Sequence, residues 1–284
     1  MKYIDRKKKE WGNKALDQRL RQRSNYPAAP SAGKGIVRVY EKLLLKAVRG
    51  KKHWRALVLG ATPETRDLVL KHGGELVTAD ISWNAMQMAY AHMKHAQDPR
   101  EIIVRSNWLA LPLAGHYFDV ILGDGVTNNI DFKFHHKFYR EMTRLLKKDG
   151  KIILREVVIN PKRPLVSFRE EDKKYCASKM HWFDMFMDIY LYNQRKSEFT
   201  DSKKYIWKMK KFWQLVHQAY QTGQISKRTF NAIWWFRGSI KHIFLPHPLF
   251  ERGFKKFFKL LPVKQATDHD FTQDSMIFFY GKIK

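Results

Sequence analysis

The sequence predicts a doubly wound α/β fold built on a mostly parallel sheet. Five short apolar runs recur between residues 55 and 159, and stretches with helical spacing separate them. Nearly continuous apolar runs are typical of parallel strands covered on both faces. Strands that alternate with helices over short links imply right-handed crossovers. A basic, amphipathic segment after residue 160 adds a helical lid to this prediction.

The elements follow one another in a regular order. The predicted strands are RALVLG (55–60), ELVTAD (75–80), EIIVRS (101–106), FDVILGD (118–124) and KIILREVVI (151–159). The predicted core helices cover residues 65–72, 83–96 and 133–146, and lid helices are expected at 175–192 and 207–220. In the longer stretches apolar residues recur every three or four positions, as on the buried face of a helix.

Charge divides the chain into parts. Residues 1–55 hold 17 Lys/Arg and 4 Asp/Glu, residues 56–160 hold 13 and 12, and residues 161–284 hold 24 and 11. We therefore expect a basic N-terminal segment and linker (1–35), an α/β core (36–160), a basic helical lid (161–262) and closing strands of the core sheet (263–284). Basic flanks favour an anionic partner such as RNA or a phosphorylated metabolite. Lysine-rich solvated helix faces would give the same pattern.

Composition also excludes several classes of protein. Cys176 is the only cysteine, so no internal disulfide can form and a reducing, cytoplasmic location is expected. No signal peptide and no spanning stretch of roughly 20 apolar residues is recognised. No Cys/His/Asp set has the spacing of a metal site, so no metal is predicted. The oligomeric state stays open.

The first predicted strand ends in Gly60-Ala61-Thr62-Pro63-Glu64. A glycine lets a ligand approach the backbone closely, and Thr62 followed by proline is typical of a helix start. The segment lacks both G-x-G-x-x-G and the phosphate-binding P-loop pattern, which argues against NAD and ATP. Glu64 would oppose a pyrophosphate but suits a cationic ligand.

Polar residues also end the other strands. Asp80 closes the second strand 20 residues after Gly60, close to the spacing at which an acid binds a ribose diol. After the third strand, Asn107 could hydrogen-bond an adenine edge, and Ile81 and Trp108 could sandwich the ring. A helix cap is the alternative role of Asp80, and core packing is that of Trp108.

The fourth strand ends in Gly123-Asp124-Gly125, followed by three polar residues at 127–129. A buried charge without partners is costly, so this aspartate is expected to face the ligand cleft, and the polar residues that follow it reinforce this prediction.

These residues together resemble the class I S-adenosylmethionine-dependent methyltransferase family. The matching series is VLGATPE (58–64), VTADIS (77–82), SNWLALPL (106–113), FDVILGDG (118–125) and LLKKDGKIIL (145–154), and FTQDSMIFFYGKI (271–283) is similar to the closing antiparallel strand. The resemblance implies a seven-stranded Rossmann-like sheet and S-adenosylmethionine as cofactor. It assigns Gly60, Ala61 and Thr62 to the methionine part, Asp80 with Ile81 to the ribose, and Asn107 with Trp108 to the adenine. Asp124 and Gly125 are added to the cofactor site, and Glu64 replaces the family's missing acid.

The predicted activity is methyl transfer to an undetermined acceptor. Asp124 is the first candidate for the base that takes the acceptor's proton, with binding of the cofactor's amino group as its other role. Glu156 is the second candidate, with a salt bridge to Arg155 or a neighbour as the alternative. Because the glycine loop is degenerate, a catalytically silent relative that binds nucleic acid is the second hypothesis. An aminopropyltransferase is the third, although no paired-acid polyamine pocket is recognised.

Overall fold

A computed structural model describes residues 33–234, 237–238 and 240–284. The predicted N-terminal segment therefore lies almost entirely outside the described residues. The core is a seven-stranded sheet with the order β3-β2-β1-β4-β5-β10-β9. Its strands are β1 (Arg55–Leu59), β2 (Glu75–Asp80), β3 (Glu101–Arg105), β4 (Phe118–Asp124), β5 (Leu146–Val157), β9 (Phe258–Leu261) and β10 (Met276–Ile283). This confirms the doubly wound α/β prediction.

Strands β1 to β5 run parallel, and β10 lies antiparallel between β5 and β9. Val58 in the central strand faces Thr78 on one side and Leu122 on the other, and all three are fully buried. Burial on both faces explains why these strands are apolar throughout rather than at alternate positions. The antiparallel closing strand confirms the prediction for residues 271–283, although it begins at Met276.

Helices cover both faces of the sheet. The core helices are α1 (Lys34–Ala47), α2 (Pro63–Lys71), α3 (Trp83–Ala89) and α4 (His135–Leu145). Helices α1 and α2 pack on one face, while α4 packs on the other. The predicted helix at 83–96 is shorter than expected, since α3 ends at Ala89 and a 3-10 turn, Tyr90–His92, follows.

Helix α1 begins at the carboxyl edge of the sheet, because its other end leads into the start of β1. Its buried residues Ile36, Tyr40 and Leu44 recur every four positions. Asp268 closes its N-terminus, where Gly35 N and Ile36 N donate to Oδ2 over 2.7 and 3.2 Å. A carboxylate is favoured there by the helix dipole. The chain just before β10 therefore meets α1 above the carboxyl edge.

The helix-rich segment after residue 160 forms its own aromatic core. It contains α5 (Phe168–Ala177), α6 (Trp182–Leu191), α7 (Met209–Gln221), α8 (Lys227–Trp234) and a three-stranded sheet of β6 (Thr200–Asp201), β7 (Ile206–Lys208) and β8 (Lys241–Ile243). Its buried rings include Phe183, Phe186, Tyr190, Phe199, Phe212 and Trp213. The segment is thus not purely helical.

Three details differ from the sequence expectations for this region. The expected helix at 175–192 is two helices, since α5 ends at Ala177 and His181 caps the start of α6. Trp207, expected to begin a helix, lies in β7. Helix α9 (His247–Lys255) and β9 lie within the range assigned to the lid, yet both pack with the core sheet. The closing strands therefore begin at Phe258. Within the described residues, no helix has the length and apolar character to cross a membrane.

Candidate active site

The loop after β1 lies beside the end of β2. Gly60 N donates to the carbonyl oxygen of Ala79 over 2.9 Å. Gly60 has φ +99°, a conformation that side chains other than glycine's rarely adopt. The sequence singled out this glycine for close ligand approach, and the backbone conformation gives a second reason for it.

Asp80 stands at the carboxyl end of β2, half-buried beside this loop. Its Oδ1 accepts a hydrogen bond from Ser82 N at 2.8 Å. Its Oδ2 lies 3.8 Å from the point that a Cβ on Gly60 would occupy. Removal from bulk water raises the pKa of this carboxyl to about 6, although the backbone hydrogen bonds from Ser82 and Ile81 oppose that rise. The carboxylate is therefore ionised at neutral pH and lies against the loop.

Trp108, which follows β3, lies next to Gly60 and Asp80. Its indole Nε1 donates to Ala79 O over 2.7 Å, and its ring carbon Cζ2 also lies 3.8 Å from the Cβ position of Gly60. The half-buried ring packs against the core, which is the alternative role given to it from the sequence, while its role toward an adenine stays a prediction. Three predicted residues, Gly60, Asp80 and Trp108, are thus in one place.

The remaining predicted residues flank this point. Thr62 is the N-cap of α2 and Pro63 its first residue, as expected, although the Thr62 side chain makes no capping hydrogen bond. Glu64 lies in the first turn of α2. Ala61 lies between Gly60 and this cap, and Ile81 follows Asp80; both are half-buried. Asn107 uses its Oδ1 locally, as acceptor for Leu109 N at 3.1 Å.

Asp124 at the end of β4 is held by a buried guanidinium. Arg155 donates Nε to Oδ1 over 2.9 Å and Nη2 to Oδ2 over 2.5 Å, and its side chain is only 3% exposed. A bidentate pair of this kind fixes the carboxylate in position. The sequence left Arg155 as a possible partner of Glu156, whereas the structure pairs it with Asp124. The following Gly125, at φ +62°, donates its N–H to Arg155 O.

Tyr40 is a contributor that the sequence analysis missed. Its hydroxyl, buried in α1, donates to Gly123 O over 2.8 Å. Burial raises the pKa of this phenol well above its ordinary value, as does the nearby Asp124 charge, so it stays a neutral donor. No local motif marks it, because 83 residues separate the two partners.

The polar residues after Asp124 make structural hydrogen bonds, so they do not by themselves mark a ligand cleft. Asn128 is buried, and its amide accepts from Val157 N (2.9 Å) and donates to Val157 O and Ile243 O (2.8 Å each). Thr127 N donates to both oxygens of Glu156 over 3.1 and 3.2 Å. These bonds join β4, β5 and β8 at the carboxyl edge.

Two titratable groups, Glu156 and His135, form hydrogen bonds with the loop after Asp124. Glu156 is fully buried, and burial raises the pKa of its carboxyl to about 8. Burial lowers the pKa of His135 to about 4, so its neutral ring can donate Nε2–H to Thr127 O and Ile130 O. At neutral pH the Asp124–Arg155 ion pair therefore lies near two uncharged buried groups, Glu156 and His135.

Aromatic residues alternate with lysines in the sequence at 203–213 and 255–258, and most of them lie inside the fold, Phe257 being half-buried. Trp207, Phe212, Trp213 and Phe258 are all less than 10% exposed. Such rings cannot stack on bases without unfolding their surroundings. The Lys/aromatic pattern is that of amphipathic elements with one buried face.

Comparison with known proteins agrees with this geometry. Residues 59–154 match the family model described as a methyltransferase domain. No curated protein sequence matches the chain.

Several solved structures share the fold at low sequence identity. The PH0226 protein of Pyrococcus horikoshii OT3 has a TM-score of 0.54 and 15% identity, covering 92% of this chain and 99% of that one. The N-methyltransferase NodS of Bradyrhizobium japonicum WM9, solved with S-adenosyl-L-homocysteine, gives 0.51 and 8%, covering 99% and 98%. The 1,6-didemethyltoxoflavin-N1-methyltransferase of Burkholderia thailandensis gives 0.52 and 10%, covering 95% and 87%. Residues 59–154 thus match a methyltransferase domain, and the seven-stranded sheet around them has the Rossmann-like fold of these solved structures.

Proposed function

We propose that the chain binds S-adenosylmethionine where β1, β2 and β3 end and transfers the methyl group to an acceptor held beside β4 and β5. One observation carries the proposal. Asp80 Oδ2 and the Trp108 ring both lie 3.8 Å from the Cβ position of Gly60. A carboxylate, an indole face and a backbone without a side chain are what a nucleoside needs for its diol, its base and close approach.

For the adenosyl part of the cofactor, the site offers one hydrogen-bond acceptor, Asp80, and two apolar side chains, Ile81 and Trp108. Asp80 is proposed to accept hydrogen bonds from the ribose hydroxyls, since it is ionised at neutral pH. Ile81 and Trp108 are proposed to enclose the adenine. Because the Asn107 Oδ1 is used by Leu109 N, this amide would offer the adenine its Nδ2 donor.

The amino-acid part is assigned to the loop and the first turn of α2. Gly60, Ala61 and Thr62 are proposed to enclose it, and Glu64 to balance its ammonium group. Asp124 and Gly125 bound the same edge. Arg155 already donates to both oxygens of Asp124. For Asp124 we therefore favour the second predicted role, binding the cofactor's amino group, over proton transfer.

The bound cofactor supplies an electrophilic methyl group on a sulfonium, whose sulfur leaves without charge. The chain mainly has to hold the acceptor in line and exclude water, which can account for several kcal/mol of barrier lowering. The segment after residue 160 is proposed as the lid that does this. Its strand β8 is tied to the site through Ile243 O and Asn128.

Calorimetry with S-adenosylmethionine and S-adenosylhomocysteine tests the cofactor site. We expect micromolar binding that Asp80→Ala weakens at least about a hundredfold, which is about 2.7 kcal/mol. Asp149→Asn is the matched control, because this exposed carboxylate lies at the amino edge of the sheet. Equal loss in both variants, or none in Asp80→Ala, would contradict the assignment.

A labelled-methyl transfer assay on RNA, protein and small-molecule fractions of a cell extract identifies the acceptor class. Transfer to any one fraction, lost in Asp80→Ala, supports the enzyme. Tight, salt-sensitive RNA binding with no cofactor binding at millimolar ligand would support the silent relative instead.

A further inference from the structure

Three potential metal ligands converge where α6 begins. His181 caps this helix, Asp184 lies in its first turn, and His269 precedes the 3-10 turn Asp270–Gln273. One ligand atom from each residue lies within 4.8 Å of the other two. None of the three belongs to the proposed cofactor site.

The fold explains how the set forms. In a capped helix start, residues 181 and 184 lie on the same side of the first turn, and Asp184 N donates to His181 O over 3.0 Å. His269 reaches them because the chain before β10 passes over the carboxyl edge. Asp184 and His269 are 85 positions apart in the sequence, so no local spacing pattern reveals this set of ligands.

The distances between the ligand atoms are those of a long hydrogen bond and also leave room for a shared ion. His269 Nδ1 lies 3.3 Å from each oxygen of Asp184. A charge-assisted hydrogen bond is shorter, at about 2.7–2.9 Å. Two ligand atoms 3.3 Å apart, each about 2.1 Å from one ion, subtend about 104° at it, which is close to tetrahedral.

A second, independent observation concerns Asp184 itself. The residue is only 8% exposed, and among the described residues no hydrogen bond reaches its buried Oδ1. Its contact is the ion pair with His269 Nδ1 at 3.3 Å, so this buried carboxylate oxygen, which is costly to desolvate, lacks a close donor. The rings of Phe183 and Phe271 surround the group and limit access of water.

We propose that His181, Asp184 and His269 form a binding site for a divalent transition-metal ion of the zinc class. Two imidazoles and one carboxylate with a fourth position open to water are a ligand set that zinc accepts. The ion would link His181 and Asp184 at the start of α6 to His269, which lies in the chain before β10. It would thus join the lid to the core.

His181 is the weakest of the three ligands. Its Nδ1 accepts from Phe183 N over 3.2 Å, so coordination through this nitrogen replaces the helix cap. We therefore expect its removal to cost less affinity than removal of Asp184 or His269.

The test is zinc titration of the metal-stripped, untagged full chain by calorimetry, with visible absorption of a cobalt(II) form as a second readout. We expect one equivalent bound, and at least about a hundredfold weaker binding in Asp184→Asn and His269→Gln, against about tenfold in His181→Ala. Four-coordinate cobalt absorption should disappear with the first two variants.

Two controls separate this site from other causes. His53→Ala removes an exposed histidine elsewhere and should leave zinc binding unchanged. Asp80→Asn should retain zinc while losing cofactor, and Asp184→Asn should retain S-adenosylhomocysteine binding, which also reports its folding. The proposal is overturned if the chain takes up no zinc or cobalt, or if Asp184→Asn and His269→Gln bind them as wild type does.

Discussion

Gly60 combines a left-handed backbone conformation with a proposed contact to the cofactor, and a matched substitution separates the two. Gly60→Ala strains the backbone at φ +99° and places a methyl group against Asp80 and Trp108. Gly73→Ala strains a similar φ of +80° where nothing lies within 4 Å. Each should lose about 1 kcal/mol of unfolding free energy in urea titrations.

Only Gly60→Ala should also weaken S-adenosylhomocysteine binding, by about tenfold or more in calorimetry. If Gly73→Ala weakens binding equally, the loss comes from general destabilisation and the assignment of Gly60 is wrong.

Asp80 gives the cofactor site a pH dependence. Its pKa of about 6 leaves the carboxyl mostly ionised at pH 7 and mostly protonated at pH 5. Because a ribose diol is held by the ionised form, S-adenosylhomocysteine affinity should fall about tenfold between these two pH values. In Asp80→Asn the affinity should be low and flat over the same range. A wild-type profile without this fall would contradict the role.

At the scale of elements, hydrogen bonds that involve side chains join the loop after β4 to the end of β5. Asn128 satisfies the backbone of Val157 and Ile243, and Glu156 accepts from Thr127. This arrangement places an uncharged carboxyl in the core, since desolvation raises the pKa of Glu156 to about 8.

Glu156 should make stability fall as pH rises. Its folded pKa of about 8 exceeds the ordinary value of 4.5, so the folded state holds the proton over the interval between them. The contribution of Glu156 to the free energy of unfolding is complete below pH 4.5 and is lost as the pH rises through the folded pKa of about 8. The loss is at most about 1.4 kcal/mol per pH unit. Urea unfolding at about pH 6 and 8 should show a steeper fall in wild type than in Glu156→Gln. Parallel profiles would refute this.

At the scale of the whole molecule, the sequence was informative wherever burial on two faces left a continuous apolar run. This holds for β1, β2 and β4, whereas the edge strand β3 is apolar although its Ile102 is 62% exposed. The grouping of Gly60, Asp80 and Trp108 was also predictable, because parallel strands end at one edge of a sheet.

Contacts between distant residues were not predictable. Tyr40 meets Gly123 across 83 residues and Asn128 meets Ile243 across 115, and neither pair has a local pattern. The break between α5 and α6 was missed because the apolar spacing continues through it, while the cap at His181 interrupts the helix. Asp124 lies at the end of β4, as predicted, but its guanidinium partner could not be identified from sequence alone.

A crystal structure of the chain with S-adenosylhomocysteine tests the central claim most directly. The account predicts ribose hydroxyls within hydrogen-bond distance of the Asp80 carboxylate and adenine against the Trp108 ring, with Gly60 in contact with the nucleoside. A nucleoside bound elsewhere, or bound with Asp80 still facing only the protein, would contradict it.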